Sequence, residues 1–165
     1  VNRERPGEIS FWVPGKPEPG GSKRSIPAWN KRTRTYAVAA NGRPIINTVD
    51  DNPKAKGWKE MVALIARTQY KGDPIPGPVR LDLQFYLKRP AGHVGKGRNA
   101  GNLRAAARQY PTVKPDVLKM ARVVEDALSG LVYVDDAQII HEVLLKQYGP
   151  NEGVRIEVTR IGVPA

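Results

Sequence analysis

The chain has 165 residues and a mass of 18.2 kDa, enough to bury roughly two-thirds of its unfolded surface without disulfides or a structural metal. It has no cysteine and two histidines, His93 and His141, far apart in sequence, which excludes a disulfide scaffold, an iron–sulfur cluster and thiol chemistry and argues against zinc. Lys and Arg total 27 against 16 Asp and Glu, a formal charge of +11, so the expected partner is a large polyanion.

Ile9, Phe11 and Val13 alternate with Ser10 and Trp12, which predicts a first strand stopped by Pro14-Gly15. Tyr36 to Thr48, with Asn41-Gly42 at its middle, reads as a hairpin. Asn52-Pro53 predicts a helix start, Trp58, Met61, Val62 and Ile65 recurring at helical spacing until about Lys71-Gly72. Val79, Leu81, Leu83, Phe85 and Leu87 alternate with polar residues and predict a half-buried strand. A second helix is expected over Asp116 to Leu128, with Val117, Met120, Ala121, Val124 and Leu128 as its apolar stripe and Ser129-Gly130 as terminator. Two strands close the chain, about Ile139 to Tyr148 and Val154 to Ile161, joined by the turn Gly149 to Gly153. His141, inside the first of these, is expected to be packed or hydrogen-bonded. Strand and helix do not alternate regularly, so the expected fold is α+β: one domain over 1–165, a small mixed β-sheet with two main helices packed on it.

The charges are unevenly spread. Between Gly15 and Tyr36 stand six basic residues, Lys16, Lys23, Arg24, Lys31, Arg32 and Arg34, and one acid, Glu18. From Lys88 to Lys114 stand seven, Lys88, Arg89, Lys96, Arg98, Arg104, Arg108 and Lys114, and no acid. Both stretches, about 15–36 and 88–114, are expected as mobile basic loops that close on a phosphate backbone, each neutralised phosphate releasing counterions. Directly after the second, five of the sixteen acids (Asp116, Glu125, Asp126, Asp135 and Asp136) fall within 21 residues. Such a cluster in a cationic protein repels itself unless a cation sits there.

Chain geometry offers a way to gather them. A helix from Asp116 to Leu128 travels about 18 Å, and an extended path from Leu131 to Asp136 returns roughly 17 Å, which would bring Asp135 and Asp136 beside Asp116. Oxygen ligands without His or Cys select Mg²⁺ or Mn²⁺, and such ions support phosphodiester hydrolysis. Taken singly, Asp116 also fits a helix N-cap, Asp135-Asp136 an ordinary turn, and Arg122 with Glu125 a solvated i,i+3 pair. Only their combination points to a site.

Lys114-Pro115-Asp116, then Asp126-Ala127-Leu128-Ser129-Gly130-Leu131-Val132-Tyr133, then Asp135-Asp136-Ala137-Gln138-Ile139 resembles the RusA family of Holliday junction resolvases. The opening Val13-Pro14-Gly15-Lys16-Pro17 and the strand Val79 to Leu87 are similar to the family as well. The resemblance implies a Mg²⁺-dependent endonuclease that acts as a homodimer on four-way DNA junctions. No apolar run approaches the roughly 20 residues needed to span a bilayer, so an intracellular, cytoplasmic, DNA-associated protein without a membrane segment is expected. The resemblance also implies Asp116 and Asp136 as catalytic and metal-binding residues; the acidic cluster itself offers Asp135 next, then Glu125 and Asp126, as further metal candidates. The resemblance places Leu118, Lys119 and Arg122 where the family carries Asp, Asn and Lys. Arg122 keeps a positive charge for the phosphate; Leu118 cannot bind metal and is expected to extend the apolar stripe and pack against a neighbour. Glu125, seven residues on, lies only about 20° from position 118 around the helix but roughly 10 Å further along it. The expected DNA-binding residues are Lys16, Lys23, Arg24, Arg32, Arg34, Lys96, Arg98, Arg104, Arg108, Lys114 and Lys119. The alternative is a junction-binding protein whose catalysis is impaired at position 118. A basic RNA-binding domain is a third reading, opposed by the dispersal of Trp12, Trp29, Trp58 and the six Tyr along the chain.

Overall fold

The structure is a computed structural model that describes residues 8–21, 23–50 and 52–162. In chain order, β1 (Glu8–Pro14) is followed by four short strands, β2 (Lys23–Pro27), β3 (Trp29–Asn30), β4 (Thr35–Tyr36) and β5 (Ile46–Asp50). Then come α1 (Lys54–Gln69), β6 (Val79–Lys88), α2 (Val117–Leu128), β7 (Ile139–Gly149) and β8 (Gly153–Arg160). The main sheet has the order β1-β8-β6-β7. β6 runs parallel to β7 and antiparallel to β8, which is antiparallel to β1. The fold is the expected α+β arrangement of a small mixed sheet and two main helices.

The period-two pattern of β6 decides which face the helices cover. Val79, Leu81, Leu83, Phe85 and Leu87 are buried, while Arg80, Asp82, Gln84 and Tyr86 stand on the open face, where Arg80 pairs with Asp82 and Arg155 with Glu157. The register aligns inward residues into rows across the sheet. One row runs Phe11, Ile156, Leu83, Leu144; the neighbouring rows run through Leu81 to Glu142 and through Phe85 to Lys146. Two apolar rows therefore end in a charged residue on the outer strand, beside α2. The stripe Met120, Ala121, Val124 and Leu128 is fully buried against this face, and α1 packs on α2 and β1 through Trp58, Val62 and Ala66. Met61, expected in that stripe, is exposed, because the contact follows the 58–62–66 line.

Several expectations change. The stretch 15–36 is not one loop: β2 pairs with β5, and β3 with β4, in an arm built on backbone hydrogen bonds. The Asn41-Gly42 turn is present, Gly42 adopting φ 76°, but the strand after it continues alongside Lys23–Pro27. The stretch 88–114 folds on itself through two short 3₁₀ turns, and the Arg89 guanidinium donates to the carbonyls of Arg108 and Gln109 while lying 4.3 Å over the Tyr148 ring. β7 and β8 are consecutive but not adjacent, since β6 lies between them and pairs with both. His141 is exposed on the outer strand. No helix among the described residues is long and apolar enough to cross a membrane.

Candidate active site and nucleic-acid cleft

A cleft of about 970 Å³ opens along the outward side of α2. Its walls are the segment Lys16–Gly21, the first turns of α1, and Lys114-Pro115; its floor is α2 and the turn at Asp136. The 16–21 segment lies across the middle of α2 like a strap. The Gly20 amide donates to the Lys119 carbonyl at 2.8 Å, and a Cβ at Gly20 would fall 2.5 Å from Val123 Cγ2, so only glycine permits this approach. Glu18 ties the strap to α1: it accepts from Asn52 Nδ2 at 2.9 Å and pairs with Lys16 at 3.6 Å. Asn52 Oδ1 in turn accepts from the Lys54 amide at the start of α1.

Asp116, Glu125, Asp126 and Asp136 all line this cleft, as do Lys16, Lys23, Lys114, Lys119 and Arg122. Asp116 occupies the N-cap position of α2 but makes no capping hydrogen bond, so the helix does not engage its carboxylate. The segment that delivers it is held from behind: Lys146 Nζ donates to the carbonyls of Val113 and Pro115 at 2.8 Å each. Asp135 is turned elsewhere. It caps the 3₁₀ turn Asp136–Gln138, accepting from the Ala137 amide at 2.8 Å while the Asp135 amide donates to Gln138 Oε1 at 2.9 Å, and it is not among the cleft residues. The expected extended return from Leu131 to Asp136 is replaced by turns, Leu131 and Val132 both donating to the Leu128 carbonyl.

Glu125 carries the electrostatic signature of the site. Burial pushes its carboxyl up to about 7, and a hydrogen bond to Glu142 and the charges of Glu142, Asp136 and Asp126 push in the same direction. Burial, with Glu125 next, also drives the Tyr133 hydroxyl far above its ordinary value; that hydroxyl donates to the Glu125 carbonyl at 3.0 Å. Asp126 pairs with Lys59 of α1 at 3.6 Å. The donor set is all oxygen and suits a hard cation such as Mg²⁺, but among the described residues no three acids or histidines stand close enough to hold an ion. Leu118 is 63% exposed and lines no part of the cleft: α2 buries the 120–124–128 side and leaves position 118 facing solvent.

The family model described as Endodeoxyribonuclease RusA matches residues 27–159. The chain belongs to the RusA family. It is also 34% identical over 108 residues to "Uncharacterized protein YqaN" of Bacillus subtilis (strain 168), covering 66% of this chain and 74% of that protein. RusA membership supports a nuclease-type function, and the matched residues include all of the cleft lining except the strap and Lys23.

Four cleft or cleft-supporting residues escaped the sequence reading. Lys56 and Lys59 line the cleft from α1, and their i,i+3 spacing in a cationic first turn was a usable signal. Glu142 and Lys146 were visible only as charged residues on the inward phase of β7, a phase fixed by its pairing with β6. Of the expected DNA-binding residues, Arg24, Arg32 and Arg34 sit on the arm and Lys96, Arg98, Arg104 and Arg108 on the 88–114 loop, none of them lining the cleft.

Proposed function

We propose that the protein is a Mg²⁺-dependent endonuclease that resolves four-way DNA junctions by paired phosphodiester hydrolysis. The observation that carries this reading is one cleft lined by four carboxylates from α2 and its flanks and by seven Lys or Arg side chains, in a chain of the RusA family. Asp116, Asp136 and Glu125 are the oxygen donors proposed to hold the ion, which requires them to converge more closely than they stand here, with Mn²⁺ an acceptable substitute. An ion held there would supply water activation and charge neutralisation at the leaving oxygen. The chain's own cations do the rest: Lys16, Lys114 and Lys119 hold phosphates along the cleft, and Arg122, exposed beside Gly21 of the strap, offers a charge to the scissile phosphate. Two symmetric incisions call for two identical sites, which supports a homodimer.

The decisive experiment is cleavage of a synthetic four-way junction and of matched linear duplex with Mg²⁺. Paired nicks in the junction are expected; no cutting of either would reject the nuclease. The exposure of Leu118 and the absence of three converging acids among the described residues favour a second reading, a junction-binding protein with impaired catalysis. It is distinguished by salt-dependent junction binding without nicking.

A further inference from the structure

We infer that the arm formed by residues 23–50 is a second nucleic-acid contact, in which Trp29 and Tyr36 stack against a base that has left its duplex stack while Lys31, Arg32 and Arg34 hold the flanking phosphates. This rests on the DNA reading above and extends it to a different surface.

The arm departs from the cleft at Lys23 and returns to it at Asn52, both of which line it. The pairing of β2 with β5 is continued by Ala28 and Ile45, then by Ala37 and Ala28, and ends in the β3–β4 hairpin. At the tip, Asn30 Oδ1 accepts from the amides of Arg32 and Thr33, and Arg34 takes φ 56°, so the turn that presents the three cations is built rather than slack. Trp29 and Tyr36, seven residues apart in sequence, face each other across the hairpin with ring centroids 5.2 Å apart at 80°. They remain 53% and 61% exposed. The ring that contributes its edge to such a pair keeps both faces open.

The chemistry of the patch names its ligand. Between Pro19 and Val49 the chain has no acid at all, so open aromatic faces stand among cations without a compensating carboxylate. That combination fits a ligand with flat π-faces and negative charge, which is a nucleotide strand. Linear duplex hides its base faces in the stack. A branch point, bulge or strand end offers them. Phosphate contacts position DNA without reading its form, so the stacking pair is the part of this surface able to favour branched over linear DNA.

The test is fluorescence anisotropy of the full chain with linear duplex, a duplex carrying an unpaired bulge, and a four-way junction. Trp29→Ala is expected to weaken binding to the bulged and branched DNAs on the order of tenfold, leaving linear duplex and its salt dependence unchanged, whereas Trp29→Phe retains most of the affinity. A 2-aminopurine placed in the bulge should be quenched by the parent and not by Trp29→Ala. Equal loss on linear duplex, or no loss on any DNA, overturns the inference, as does a change in oligomeric state on sedimentation of Trp29→Ala, which would make the arm a contact between copies. If the parent binds none of these DNAs, the proposed function falls with it. If the parent binds and cuts branched DNA and Trp29→Ala matches it in binding, the arm inference alone fails.

Discussion

Glu125→Gln probes the most strained charge in the cleft. The carboxyl is raised from 4.5 to about 7 by burial, by its hydrogen bond to Glu142 and by the charges of Glu142, Asp136 and Asp126. The folded value exceeds the unfolded one, so the folded state binds more protons between the two. Its contribution is fully present below about 4.5 and is lost as pH rises through about 7. Each pKa unit corresponds to about 1.4 kcal/mol, nominally about 3 kcal/mol over this interval; the side chain is half open to water, and screening reduces the expected effect to about 1 kcal/mol. Gln removes the titration. In urea unfolding without divalent ions, Glu125→Gln should therefore be more stable than the parent by about 1 kcal/mol at about pH 8, the gap closing towards about pH 5. A variant less stable at the higher pH, or a gap independent of pH, would refute the idea that burial and the neighbouring carboxylates hold Glu125 above its ordinary value.

Asp116→Asn and Asp136→Asn are expected to abolish nicking of a four-way junction while preserving or improving its binding, because each removes negative charge near phosphate; parallel loss of binding would indicate damaged folding. Asp126→Asn should also improve binding but retain cutting, since Asp126 is paired with Lys59; loss of nicking in a metal-dependence assay would assign it to the ion instead. Leu118→Asp should create or raise nicking at little cost to thermal stability, because position 118 is exposed and a carboxylate in the first turn of α2 gains about 0.3–1 kcal/mol from the helix end. Lys146→Ala removes two charge-assisted bonds to the segment carrying Asp116 and should cost about 1–3 kcal/mol in unfolding, with cutting falling more than binding.

Elements whose burial leaves a periodic trace were legible. β6 and α2 each have one buried face, so alternation and the 120–124–128 spacing were written into their residues. The β2–β5 pairing was not, because β2 is exposed throughout, Ile46, Asn47 and Thr48 of β5 are exposed as well, and no pattern of apolar residues marks the partner. The same blindness reached the stacking pair: Trp29 and Tyr36 are dispersed in sequence and adjacent only through the hairpin register. In the cleft, Asp116, Glu125, Asp126 and Asp136 come from one short stretch and could be grouped by counting along the chain. Glu142 and Lys146 could not, since their facing α2 depends on which residues of β6 they oppose.

The distribution of charge around α2 links stability to function. Burial and the charges of Glu142, Asp136 and Asp126 raise the cost of ionising Glu125, and a phosphodiester entering beside them adds further negative charge. At an effective dielectric near a protein surface, two like charges about 4 Å apart oppose each other by about 4 kcal/mol, so carboxylates alone would expel the substrate they are to act on. The cleft answers from two independent elements, Lys16 on the strap and Lys56 and Lys59 on α1, opposite the acids of α2. Glu18 fastens the strap to α1 through Asn52, and the Gly20 amide on the Lys119 carbonyl and the Lys59–Asp126 pair tie both to α2, so the cations are held at a fixed place opposite the acids. Neutralising Asp136 and neutralising Asp126 therefore change the same field but different chemistry: one carboxylate faces its acidic neighbours, the other a lysine. A cleft that merely attracted DNA would respond alike to both, and a divergence between binding and cutting in these two variants is the behaviour that requires acids and cations to have separate tasks.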